Sequence, residues 1–321
     1  TDTQQTVGEA GETGDVDVTA LGTMYHPASD YKEVYQTLLK GYQQNKQQNW
    51  IEEETSAETS TAASGAMNSG SDKYYYSDGA EYGSAVVDLT EGSKEGGKDY
   101  STTNLQMEGV DESDIAKIDG SYIYTVEDKY IVITDIRDGK LKEVTRFLPK
   151  DCGASDRVME IYVDGDQLIL VVQCYETSLE EDSAFCYEMN GKSTTQIQVY
   201  SIVDRKNPEF EGRLIQDGYY NTSRKIGDVV YLFTQYNMTS DVVGYVEKEY
   251  TSVIPKVNGE KVAASEIYLP ESSGESGILV SSLDVNKPDK VLDSKLVISG
   301  YAQTYISKDA LYLYEEDYDG A

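Results

Sequence analysis

Asp111, Glu112, Asp114 and Asp119 crowd one short stretch of the chain. Several carboxylate oxygens around one turn are what a hard cation such as Ca²⁺ takes, and extracellular Ca²⁺ sites work at weak affinity. The spacing is not that of an EF-hand loop, because Gly109 precedes the acids and no Glu falls at the twelfth position. The same residues also read as structure. Gly109 and Asp119-Gly120 make turns, while Asp114 and Lys117 close strand ends or pair with each other. A second acidic stretch, Glu176 to Asp182 with Glu180-Glu181-Asp182, reads as solvated surface. Paired carboxylates are the equipment of a glycosidase, but a chain that is 26% charged offers too many pairs for spacing to select one. Tyr236, Tyr245, Tyr250 and Tyr268 lie in and beside a long loop at 237–276. They are the aromatic rings expected to meet a sugar or a peptide.

Other chemistries lack their parts. His26 is the single histidine and falls in a polar tail, so neither a Ser-His-Asp triad nor a histidine metal centre can be built in the folded part. No Gly-x-Ser-x-Gly, P-loop or dinucleotide fingerprint occurs. Cys152, Cys174 and Cys186 are odd in number, so they cannot all pair within one chain. Cys174 and Cys186 flank the acidic loop and could bridge it; otherwise the three are small buried hydrophobes. No CxxC or Cys/His cluster offers a zinc site. A formal net charge of -31 argues against nucleic acid or anionic lipid, since phosphate binding needs Lys and Arg to displace counterions. It suits a soluble protein in a salty or Ca²⁺-containing exterior.

The chain holds 28 Tyr against 4 Phe and 1 Trp. Tyr fits half-buried strand positions, ring inward and hydroxyl in water. No run of 18 or more apolar residues appears. The chain opens Thr1-Asp2-Thr3 without Met, which reads as a mature form from which an export or anchor segment has been removed. Residues 1–28 read as a disordered tail. Residues 29–50 carry Tyr31, Val34, Tyr35, Leu38, Leu39 and Tyr42 at helical spacing, behind a cap at Ser29 or Asp30 with Glu33 as capping-box partner. That helix is expected to dock on the main body or to serve as a spacer. Residues 51–103 read as a flexible, low-complexity linker with a Tyr74-Tyr75-Tyr76 cluster.

From residue 104 to 321 the texture is short alternating runs with polar turns. Three sets of four strands are predicted, at 114–147, 158–214 and 219–298, with two strands of a fourth set near 302–314. Ile133-Thr134-Asp135-Ile136, Ser201-Ile202-Val203-Asp204 and Ser282-Leu283-Asp284-Val285 each precede a charged turn, as one repeated unit would. Four-strand units with variable loops describe the blades of an all-β propeller. About three and a half blades are legible, so an incomplete propeller is expected, preceded by one helix and a linker. A single blade cannot bury both faces, so neighbours must stack.

The stretch Thr103-Asn104-Leu105-Gln106-Met107-Glu108-Gly109-Val110-Asp111-Glu112-Ser113-Asp114-Ile115-Ala116-Lys117-Ile118-Asp119-Gly120-Ser121-Tyr122-Ile123-Tyr124 resembles the opening of a family of secreted bacterial proteins. These carry a C-terminal β-propeller distantly related to WD-type repeats. The match is dense over residues 101–124, looser from there to Ala321, and absent before. The resemblance implies export, an N-terminal anchor at the bacterial membrane or cell surface, and the propeller fold; it implies no established activity. The expectation is an extracellular, non-catalytic module that binds a surface protein or glycan, or acts as a scaffold. The rival is a carboxylate-dependent enzyme processing polysaccharide or peptide, supported by fold analogy alone.

Overall fold

Leu168, Ile169, Leu170, Val171 and Val172 are consecutive and fully buried. Successive side chains of a strand point to opposite faces, so this strand is covered on both sides. The computed structural model, which describes residues 25–44, 114–175, 193–237, 250–271, 273–274, 276–299, 302–306 and 311–315, gives the reason. The strand lies in the middle one of three stacked sheets.

Strand β1 (Tyr25–Pro27) comes first, followed by helix α1 at 31–44. The first blade is β2 (Ala116–Ile118), β3 (Tyr122–Glu127), β4 (Tyr130–Asp135) and β5 (Lys142–Phe147), paired in chain order. The second is β6 (Arg157–Asp164), β7 (Gln167–Tyr175), β8 (Ser193–Ser201) and β9 (Glu209–Asp217). The third begins with β10 (Tyr219–Ile226) and β11 (Val229–Asn237). An insertion follows, with β12 (Lys256–Val257), β13 (Glu260–Lys261) and β14 (Ile267–Pro270), before β15 (Ser276–Asp284) and β16 (Val291–Ser299) complete the meander. β17 (Ala302–Ile306) and β18 (Leu311–Glu315) pair as a separate hairpin. The three strand sets and the final pair fall where the alternating runs predicted them.

Each blade closes its second hairpin with the same backbone bond. Ile136 N–H donates to Ser121 C=O at 3.0 Å, Ile202 N–H to Asp166 C=O at 2.7 Å, and Val285 N–H to Asp228 C=O at 2.9 Å. Asp135, Asp204 and Asp284 each accept the N–H two residues on, at 3.0, 3.0 and 2.9 Å. This Asx turn is the local reason for the Asp in the repeated stretches.

Two cores hold the stack together. Tyr124, Ile131 and Ile133 of the first blade share one core with Ile161, Leu168, Leu170 and Val172 of the second. Ile169, Val171, Ile197 and Val199 of the second share another with Val230, Leu232, Leu279 and Leu296 of the third. Strand β7 thus sends alternate residues to opposite neighbours, which is radial stacking rather than a two-layer sandwich.

Blades that converge toward an axis diverge at the rim, and the second gap is filled by borrowed pieces. β12 adds to β9 through the pair Val257 with Gln216. β14 runs parallel to β16, and β1 adds antiparallel to β14. Val253, Ile254, Val257, Val262, Ile267 and Leu269 of the insertion join Ala28, Val34, Tyr35 and Leu38 in the second core. Burying a side chain such as Val34 or Leu38 contributes roughly 1.5–3 kcal/mol.

Residues 25–28 therefore depart from the expected tail: they are ordered because the β14 edge supplies hydrogen-bond partners and Ala28 N–H donates to Ile267 C=O at 2.7 Å. The helix keeps its predicted apolar stripe. Asp30 caps it by accepting the Glu33 N–H at 2.9 Å. The Glu33 carboxylate reaches back to Ser29, accepting its N–H and its hydroxyl at 2.7 Å each, rather than to Asp30. Residues 45–50 of the expected helix and the linker 51–103 lie outside the described residues.

Candidate functional site

Asp114 and Asp119 do not converge. Asp114 joins the first blade to the second, donating its N–H to Ile161 C=O at 3.2 Å and accepting the Ile161 N–H at 2.8 Å. Its carboxylate accepts the Ile115 N–H. Asp119 sits beyond the other end of β2, roughly 16 Å along an extended chain from Asp114. Its oxygens accept the Ser121 and Tyr122 N–H groups at 2.9 and 2.8 Å and the Tyr124 hydroxyl at 2.7 Å. These two residues therefore do not fit one Ca²⁺ ligand set; Asp111 and Glu112 lie outside the described residues. Among the described residues, no three His, Cys, Asp or Glu side chains gather around a common point that could hold a metal ion.

Asp119 works instead as part of an inter-blade clamp. Arg205, in the β8–β9 turn, donates to the Tyr124 hydroxyl at 3.2 Å and to the Ile202 and Gly165 carbonyls at 2.7 and 3.1 Å. It pairs with Asp166 and with Asp119, and its guanidinium lies 5.6 Å from the Tyr122 ring centre. Burial alone would raise the Asp119 carboxyl. The Tyr124 hydroxyl, the two backbone N–H groups and the Arg205 charge outweigh it and hold the carboxyl below its ordinary range.

Of the four tyrosines expected to form a binding surface, the three described ones do not share one face. Tyr236 and Tyr250 pack against the core between the second and third blades. Ile267 and Leu269 turn into that same core, so alternation points Tyr268 to the opposite face of the third sheet. Tyr245 lies outside the described residues. The described part of the long loop is a rim clamp, with its apolar residues Val253, Ile254, Val257 and Val262 buried in that core. The acidic loop 176–182 and Cys186 are also outside the described residues. Cys152 and Cys174 are free thiols. His26, placed by sequence in the tail, meets Glu33 at 3.2 Å through its Nε2.

What the sequence reading missed is a polar row between the first strands of adjacent blades. Glu160, Tyr162 and Asp164 on β6 face Tyr220, Ser223 and Lys225 on β10. Tyr220 donates its hydroxyl to Glu160, the Tyr162 and Ser223 hydroxyls share a 2.8 Å bond, and the Lys225 ammonium pairs with Asp164. Lys117, on β2, lies over the Tyr162 ring at 5.8 Å. The signal available in sequence was the alternation in Glu160-Ile161-Tyr162-Val163-Asp164; on β10 a register shift between Tyr220 and Thr222 breaks the period, and only the packing of the two strands reveals the rungs. Tyr162, Ser223 and Lys225 are buried, whereas Glu160 and Tyr220 are half-buried at one end of the row. Burial and the Glu160 charge push the Tyr220 phenol above its ordinary range, so it stays protonated and donates. This half-buried end presents a carboxylate and a phenol, groups that can meet the hydroxyls or amides of a ligand.

A family model described as Beta propeller domain matches residues 100–320. An uncharacterized protein of Methanocaldococcus jannaschii is 23% identical over 248 residues, covering 73% of this chain and 33% of the relative. The chain therefore spans about a third of the length of that relative. No solved structure matches the chain at comparable stringency.

Proposed function

The chain belongs to the beta propeller domain family, and from that premise we propose that it works as a non-catalytic binding or scaffold module at the outside of a bacterial cell, held there by an N-terminal anchor. The ligand class is a surface protein or a glycan. One observation carries this reading: the acidic side chains at and beside the blade interfaces are committed to ion pairs and hydrogen bonds that hold the fold. Asp119 and Asp166 serve Arg205, Asp164 serves Lys225, and Asp156 accepts backbone N–H groups. A carboxylate bound this way is poorly suited to accept a substrate proton. Glu160 with Tyr220 also bridges two blades, and their half-buried position at one end of the polar row suits contact with a polar ligand. The acidic surface fits weakly basic or neutral partners.

The test is a panel of cell-surface glycans and peptides screened against the whole protein, with Glu160→Gln and Tyr220→Phe as variants. Weakened binding in both, with an unchanged β-sheet circular dichroism spectrum at the assay temperature, supports the reading. Substrate turnover abolished by a single Asp or Glu change would replace it with a carboxylate-dependent hydrolase or lyase.

A further inference from the structure

We propose that Cys152 and Cys174 form a disulfide when the protein meets a small oxidising disulfide such as oxidised glutathione, stapling the crossover between the first two blades to β7. The residue after each cysteine is fixed by one carboxylate. Asp156 accepts the Gly153 N–H on Oδ2 at 2.7 Å and the Tyr175 N–H on Oδ1 at 3.0 Å. The two oxygens of a carboxylate are about 2 Å apart, so this buried Asp draws the 152–156 loop onto the end of β7. Strand register agrees: Arg157 pairs with Gln173, which sets Asp156 beside Cys174. Both cysteines touch the same apolar cluster between the first and second blades, Cys174 as a buried member and Cys152 packed against it. The backbone that must come together for a disulfide is already held together without one.

Burial and local charge make both thiols slow to react. Burial and Asp156 push Cys174 up to about 12 and raise Cys152 as well, so little thiolate is available to attack. Half-exposed Cys152 is the entry point. Its sulfur, after losing its proton, attacks the glutathione disulfide and releases one glutathione thiol. The Cys174 sulfur, also deprotonated, then attacks the Cys152 sulfur and releases the second. Two protein thiols and one glutathione disulfide become one protein disulfide and two glutathione thiols.

The experiment exposes the whole protein and its Cys186→Ser variant to oxidised glutathione at alkaline pH, then maps peptides without reduction. The expected result in both is a linked pair of peptides carrying Cys152 and Cys174, two hydrogens lighter than the reduced pair, with a raised unfolding temperature that a reductant reverses. A Cys174–Cys186 link overturns the proposal. So does a glutathione adduct that stays on Cys152, or full alkylation of both thiols after oxidation.

Discussion

Gly212 of β9 stands so close to Pro288, in the β15–β16 turn of the next blade, that a Cβ built on it would lie 2.8 Å from the proline ring and 2.9 Å from its backbone carbonyl carbon. The second and third blades meet there backbone to backbone, and a side chain cannot enter without moving one of them. Gly212→Val is expected to lower stability by about 1–3 kcal/mol as an overpacked contact. Urea unfolding measures it, and an unchanged midpoint would show that the two blades do not touch there.

Strand β7 supplies a pair of substitutions on opposite faces. Leu170 belongs to the core with the first blade and Ile169 to the core with the third. Leu170→Ala and Ile169→Ala are each expected to cost about 2–5 kcal/mol, since each leaves a cavity in a closed interface. A strand facing solvent on one side would show one large loss and one near zero.

The Arg205 clamp is sensitive to mutation and to acid. Arg205→Ala leaves Asp119 and Tyr124 without their shared donor and is expected to cost about 1–3 kcal/mol. Asp119 titrates lower when folded than when unfolded. Its contribution is therefore complete above the ordinary carboxylate range and is lost as pH falls through the depressed folded value. Unfolding temperature should fall more steeply below pH 4 in the parent than in Asp119→Asn, and parallel slopes would remove Asp119 from the clamp.

The N-terminal strand and helix depend on Glu33 in the same direction. Hydrogen bonds from Ser29 and His26 lower its carboxyl from 4.5 to about 2. The stabilisation is fully present above 4.5 and lost as pH falls toward 2. Glu33→Gln should loosen the dock at neutral pH, seen as faster proteolytic release of residues 25–44, while adding little at pH 2. Equal release of parent and variant at neutral pH would contradict this role.

The blades were legible because their chemistry is local. Alternation in Tyr122 to Val126 and the Asp-bearing turns after β4, β8 and β15 each need only a few neighbours along the chain. The rim was not legible, because Val257 finds β9 and Tyr25 finds β14 across more than 40 and more than 200 residues respectively. The same distance hid the candidate site. Tyr236 and Tyr268 looked alike in composition, yet the sheet turns them to opposite faces. Glu160 and Tyr220 carried no motif, and only strand packing brings them together.

Radial stacking requires the second blade to lie between the first and the third. Nuclear Overhauser contacts from methyl-labelled protein test this directly. Leu170 methyls are expected to contact Ile131 or Ile133, and Ile169 methyls to contact Val230 or Leu232, with no crossing between the two sets. Contacts from both β7 residues to the same neighbouring sheet, or from one of them to none, would contradict radial stacking.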